Sequence, residues 1–143
     1  MSVNDLEIPT ELMFEENLYF NNIDGILKQE FSINEFKSIV FHDLRNVIRE
    51  TNAVRKLCLE DRNRVESYWI GSNKNGLNPG CIDCEKIIVI ANLDFDVPIC
   101  LDYRKSLYNP EVIWLTNKGG WEKICDTYHE LCAVITKFQR ESN

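Results

Sequence analysis

With 143 residues, 44% of them hydrophobic, the chain is long enough for one domain with a real core and needs no metal or disulfide to hold it. Its apolar runs are short and interrupted, which excludes a membrane-spanning helix. A net charge of −7 disfavours direct contact with nucleic acid, which requires clustered Lys and Arg.

The charge is unevenly placed. Residues 1–35 hold eight acids and a single base, Lys28, and so carry the whole excess, while the remainder balances. Charge runs usually form a solvated face, but an acidic face can also steer a basic partner. The candidate partner-contacting acids are Glu11, Glu15, Glu16 and Asp24, joined by Asp94 and Asp96 farther on. The first residues lack the basic and apolar regions of a secretory leader. The six cysteines lie mostly in apolar runs, where a thiol acts as a small hydrophobe. A cytoplasmic protein with reduced cysteines is therefore expected.

In chain order, Leu6 and Ile8 fit a short strand before Pro9. Phe14, Leu18, Tyr19 and Phe20 form an apolar cluster, and Asn21-Asn22 with Asp24-Gly25 mark a turn. Ser32-Ile33-Asn34-Glu35 has the form of a capping box, in which the hydroxyl and the carboxylate each satisfy a free backbone donor. Ile33, Phe36, Val40, Leu44, Val47 and Ile48 follow at helical spacing, so a helix is predicted from residue 32. It continues through Val54 and Leu57, with a kink or split at Thr51-Asn52. Residues 65–70 read as a strand, and a loop rich in Gly, Asn and Pro leads to Cys84.

Residues 86–91 are a continuous apolar run, suited to a strand buried on both faces. Over residues 97–103, Val97, Ile99, Leu101 and Tyr103 share one face of a strand, and Pro98, Cys100 and Asp102 the other. The connection over 105–110 is short enough for an antiparallel hairpin to a strand over 111–116. After Gly119-Gly120, the stripe Trp121, Ile124, Cys125, Tyr128, Leu131, Cys132, Ile135 and Phe138 predicts a C-terminal amphipathic helix opened by Trp121. Together these elements predict a single α+β domain over 1–143. Its antiparallel sheet of four to six strands is covered by helices, with the last helix packed on the sheet.

Chemistry-bearing motifs are few. Cys81-Ile82-Asp83-Cys84 has no second pair to complete the four ligands of a structural zinc. It leads into a strand rather than sitting at the helix N-terminus that activates a redox thiol. His42 and His129 stand alone and are read as structural or solvated. Asp94, Asp96 and Asp102 could hold a cation or act as acid and base. The commoner role of aspartate is local hydrogen bonding, shaping the turn before Val97 and ending the strand at Asp102. Residues 71–76 are flanked by glycine but lack the Gly-Lys-Ser/Thr ending of a phosphate loop. No enzyme activity and no cofactor is expected; a metal or thiol enzyme built on Cys81, Cys84 and the acids is the remote alternative.

Three features resemble the C-terminal half of SUKH superfamily domains, which are named after yeast cell-wall-assembly regulators of the Smi/Knr type. They are Pro98-Ile99-Cys100-Leu101-Asp102-Tyr103-Arg104; the step Pro110, Val112, Trp114; and Trp121 opening a helix with Ile124, Tyr128 and Leu131. The resemblance spans residues 85–138. The front departs from the family pattern, with Ile8-Pro9 and Asp24-Gly25 where the family has a leucine-proline helix and an Asn-Gly-Gly turn. The resemblance implies a non-enzymatic α+β protein. In bacteria its members are immunity proteins that neutralise a cognate toxin, often a nuclease or deaminase. In eukaryotes they are regulatory scaffolds, as in cell-wall assembly. A basic protein toxin is the partner this implies, bound without nucleic acid or membrane.

Overall fold

The structure, a computed structural model, describes residues 2–3, 5–9, 16–60, 82–94, 96–116 and 120–142. Among them lie a small ribbon, β1 (Ser2–Val3) with β2 (Leu6–Glu7), and a six-stranded antiparallel sheet. The sheet runs as a simple meander in chain order: β3 (Leu18–Phe20), β4 (Ile39–Phe41), β5 (Ile87–Leu93), β6 (Val97–Asp102), β7 (Glu111–Leu115) and β8 (Trp121–Cys125). Helices α1 (Asp24–Phe31), α2 (Leu44–Glu60) and α3 (Tyr128–Ser142) complete an α+β fold, and α3 packs against the sheet. The expected strand over 65–70, the loop over 71–76 and Cys81 lie outside the described residues.

The alternation in β6 does what its spacing dictates. Ile99, Leu101 and Tyr103 join one buried cluster, and Cys100 joins the other. On the first face, Ile88, Ile90 and Val112 meet Leu27 of α1, Leu131 and Ile135 of α3, and Leu6 and Ile8 around the ribbon. Phe36 and Trp114 meet edge to face there at 5.7 Å. On the second face, Ile87, Val89, Ile113, Leu115 and Trp121 meet Val54 of α2 and Ile82. Apolar cover on both faces explains the unbroken hydrophobic run of β5.

Two regions differ from the sequence expectation. Ser32 does not open a helix; it ends α1 with φ of 56°, its N–H donating to the Lys28 carbonyl at 3.2 Å. Glu35 is also left-handed, at φ 77°, which no helix interior tolerates. Ile33, Phe36, Ile39 and Phe41 reach the core from a loop and a three-residue strand. Asp24-Gly25 belong to the first turn of α1 rather than to a turn. The real helix start comes at Leu44, where the Asp43 carboxylate accepts the Asn46 N–H at 2.9 Å.

The second difference is at Trp121, which opens a strand and not a helix. Val112 pairs with Cys125 while Ile113 pairs with Lys123, so Ile124 is the extra residue of a β-bulge. Trp121 packs on the second face, and Ile124 and Cys125 both turn to the first. The bulge converts strand alternation into an i, i+3, i+4 pattern that imitates a helix. The actual cap of α3 is Thr127, whose Oγ1 accepts the Glu130 N–H at 3.1 Å. Thr127-Tyr128-His129-Glu130 thus has the box form that the sequence reading assigned to Ser32.

α2 runs without interruption through Thr51-Asn52. β4 pairs only with residues 91–93 of β5, so among the described residues the first half of β5 has no strand on that side. Fully buried Thr51 fills the gap: its Oγ1 accepts the Val89 N–H at 2.9 Å. Four residues on, Arg55 Nη2 donates to the Glu85 carbonyl at 3.0 Å. Thr51→Val keeps the shape but strands a buried N–H, and should cost about 1–3 kcal/mol by urea unfolding. Thr51→Ser, which keeps the acceptor, should cost clearly less.

Candidate functional site

The strand register places the candidate acids at two ends of the sheet. Phe20, Ile39, Leu93 and Val97 pair in series at one end. Asp94 and Asp96 lie in the turn there, and Asp24 is brought close by the Ile23 N–H bond to the Lys37 carbonyl at 2.9 Å. Glu16 lies at the other end, beside Asn17, whose Oδ1 accepts the Asp43 N–H at 2.8 Å. Asp24, Asp96 and Glu16 are exposed. Glu11 and Glu15 lie outside the described residues.

Asp94 has a structural task. Its Oδ1 accepts from the Lys37 N–H at 3.0 Å, the Ser38 N–H at 2.9 Å and the Ser38 hydroxyl at 3.0 Å. Its own backbone is left-handed at φ 48°, a conformation that aspartate tolerates better than most residues. The carboxylate therefore ties the β5–β6 turn to the strand entering β4. Asp102 is likewise held within the fold. It is buried at the end of β6 and accepts Arg104 Nε at 3.0 Å on both oxygens and Nη2 at 2.8 Å on Oδ2. The expected roles of Asp94 in its turn and of Asp102 at its strand end are what the geometry displays.

Cys84 departs from the expectation of reduced cysteines: it is disulfide-bonded, so it offers no thiolate to a metal. Cys100, Cys125 and Cys132 are not in disulfides. Burial pushes the Cys100 thiol far up, and burial with the nearby Glu130 pushes Cys125 up to about 12, leaving both protonated and unreactive at neutral pH. Among the described residues no three His, Cys, Asp or Glu side chains gather as metal ligands.

His42 is buried, with its backbone N–H donating to the Ile90 carbonyl at 2.9 Å and its imidazole Nε2 lacking a hydrogen-bond partner among the described residues. Burial lowers its pKa below the ordinary 6.5, against the opposing pull of Glu50 and Asp43.

A groove of about 610 Å³ is lined by residues 7–9, 107–110 and 127–129. It opens at the Glu16 end of the sheet: Tyr128, in its wall, meets Phe41 edge to face at 6.1 Å, and Phe41 pairs with Leu18. The Tyr103 hydroxyl fixes one wall by donating to the Glu7 carbonyl at 2.6 Å. The rim loop is also pinned, since Ser106 Oγ accepts the Tyr108 and Asn109 N–H groups at 3.2 and 3.0 Å, and Pro110 is buried. This held loop carries Leu107, 50% exposed, and Tyr108, 83% exposed. Both fall in the short hairpin connection, and their apolar character within a Ser-Asn-Pro turn is the sequence signal that sets them apart. No family model, curated protein or solved structure matches the chain.

Asp94→Ala removes three hydrogen bonds at once and should destabilise the fold by about 2–4 kcal/mol in urea titration, with Asp94→Asn milder because an acceptor survives. A second measurement concerns His42. Burial in the folded state favours its neutral form, while the unfolded chain binds a proton near pH 6.5. Its contribution is therefore complete above that pH and lost as pH falls below it. Unfolding midpoints at pH 7.5, 6.5 and 5.5 should decline for the wild type and flatten in His42→Leu.

Proposed function

We propose that this chain is a non-enzymatic immunity-type protein that binds a basic protein toxin and blocks its active site. The observation that carries this reading is Tyr108, 83% exposed on a loop whose backbone is already hydrogen-bonded in place. A rigid, exposed aromatic beside a groove is the usual anchor of a protein–protein contact, since little side-chain and loop freedom remains to be lost on binding. The SUKH resemblance over residues 85–138 supports the same reading, although Trp121 opens a strand where the resemblance implied a helix. The acidic charge of residues 1–35 fits a basic partner such as a nuclease or deaminase. A cytoplasmic setting belongs to the proposal, with Cys84 as an exception there, because disulfides are rare in reducing compartments. Among the described residues no helix is long and apolar enough to cross a membrane.

Co-expression with the protein encoded beside this gene should rescue growth of cells that the neighbour kills. Failure to rescue, together with no binding of the purified pair, would overturn the reading. If the pair binds, neutralising Asp24 and Asp96 to Asn should slow association at low salt, leave dissociation nearly unchanged, and lose its effect at high salt.

A further inference from the structure

We infer that the groove between β2, the 106–110 loop and the start of α3 receives a Lys- or Arg-bearing loop of the partner protein, with Tyr108 and Leu107 packing on its apolar flank. This rests on the binding reading above and names the surface and chemistry that serve it.

The occupant follows from shape and charge. At about 610 Å³ the groove can take several side chains of an inserted loop. Among the described residues its lining carries a carboxylate, Glu7, and no Lys or Arg. Glu16 lies exposed at the same end of the sheet, and exposed Glu130 stands one residue beyond His129 in the first turn of α3. The N-terminus of α3 opposes them, but its effective charge is only roughly half a positive unit. It is further blunted by the Thr127 hydroxyl, which occupies the Glu130 N–H. Glu7 in the lining and Glu130 beside it therefore outweigh it, and a cation is the favoured guest. The neighbouring Lys105 and Lys123 are both engaged by Glu111, at 2.9 and 3.3 Å, and Lys123 also by Asp126, so two carboxylates balance the two ammoniums and this sign is not reversed.

The two rim residues argue for a protein rather than a small molecule. Leu107 and Tyr108 line the rim of the groove on a fixed loop, yet remain 50% and 83% exposed. A small ligand inside the groove would leave the tip of Tyr108 uncovered, whereas a protein surface seated over the rim would bury it.

The test uses the full chain with Tyr108→Ala and Glu7→Gln, both surface changes expected to leave the thermal midpoint unchanged. In calorimetric titration with the neighbouring gene's protein, each should weaken binding by roughly tenfold or more, the usual loss at an anchor position. If the wild type binds and both variants bind equally well, the groove proposal is overturned and the immunity reading stands. If the wild type does not bind that protein, the immunity reading fails, and the groove is judged by panning a random 12-residue peptide display library against the full chain. Enriched peptides should pair Lys or Arg with an aliphatic or aromatic residue and lose binding to the Tyr108→Ala/Glu7→Gln double variant. No enrichment, enrichment of acidic peptides, or retained binding to the double variant would each overturn the proposal.

Discussion

The Val89 N–H reaches the edge of β5 at a place where β4 has already ended. Buried and unpaired, such a donor would cost about 1–3 kcal/mol, a large share of a small domain's stability. α2 removes that cost by taking the part a neighbouring strand would play: Thr51 takes the Val89 donor, and Arg55 reaches the Glu85 carbonyl one helical turn later. The helix thereby lies along an edge as well as over a face. Val47 packs into one cluster and Val54 into the other, so one element helps to close both layers. The covered edge is also withheld from pairing with another chain.

The legible parts of the fold are those whose period survives intact over several residues. β6 alternates for six residues and partitions its side chains between the two clusters as the spacing requires. β4 has only three residues, too few to show a period, and its apolar residues were absorbed into a helical stripe that begins at Ile33. At β8 the obstacle is different. One inserted residue, Ile124, shifts the inward face and produces helical spacing from a strand. Serine at a helix boundary is similarly ambiguous, because Ser32 in the left-handed region ends a helix as readily as its side chain could start one. Thr127, with the same pattern, does start one.

The chemistry of single residues was more legible than their assembly. Asp94 and Asp102 make the local hydrogen bonds that aspartate at turns and strand ends ordinarily makes. The groove, by contrast, is assembled from segments about a hundred residues apart in sequence, brought together by the core packing of Leu6 and Ile8 and by the Tyr103–Glu7 bond. No local pattern encodes that meeting. The acidic character of residues 1–35 was plain in the sequence, but the chain path that separates Glu16 from Asp24 was not.

That separation gives the acids unequal physical roles. A charge is felt through salt solution over a Debye length of roughly 8–10 Å. Asp24 and Asp96 sit at the end of the sheet away from the groove, so their influence on anything bound there is long-ranged and easily screened. Such charges guide approach. Glu7 lines the groove itself, where an incoming protein would displace water and reduce screening, so its interaction would persist after contact and hold the partner in place. One acidic surface can thus divide its work, with the far end governing how fast a basic partner arrives and the near end how long it stays.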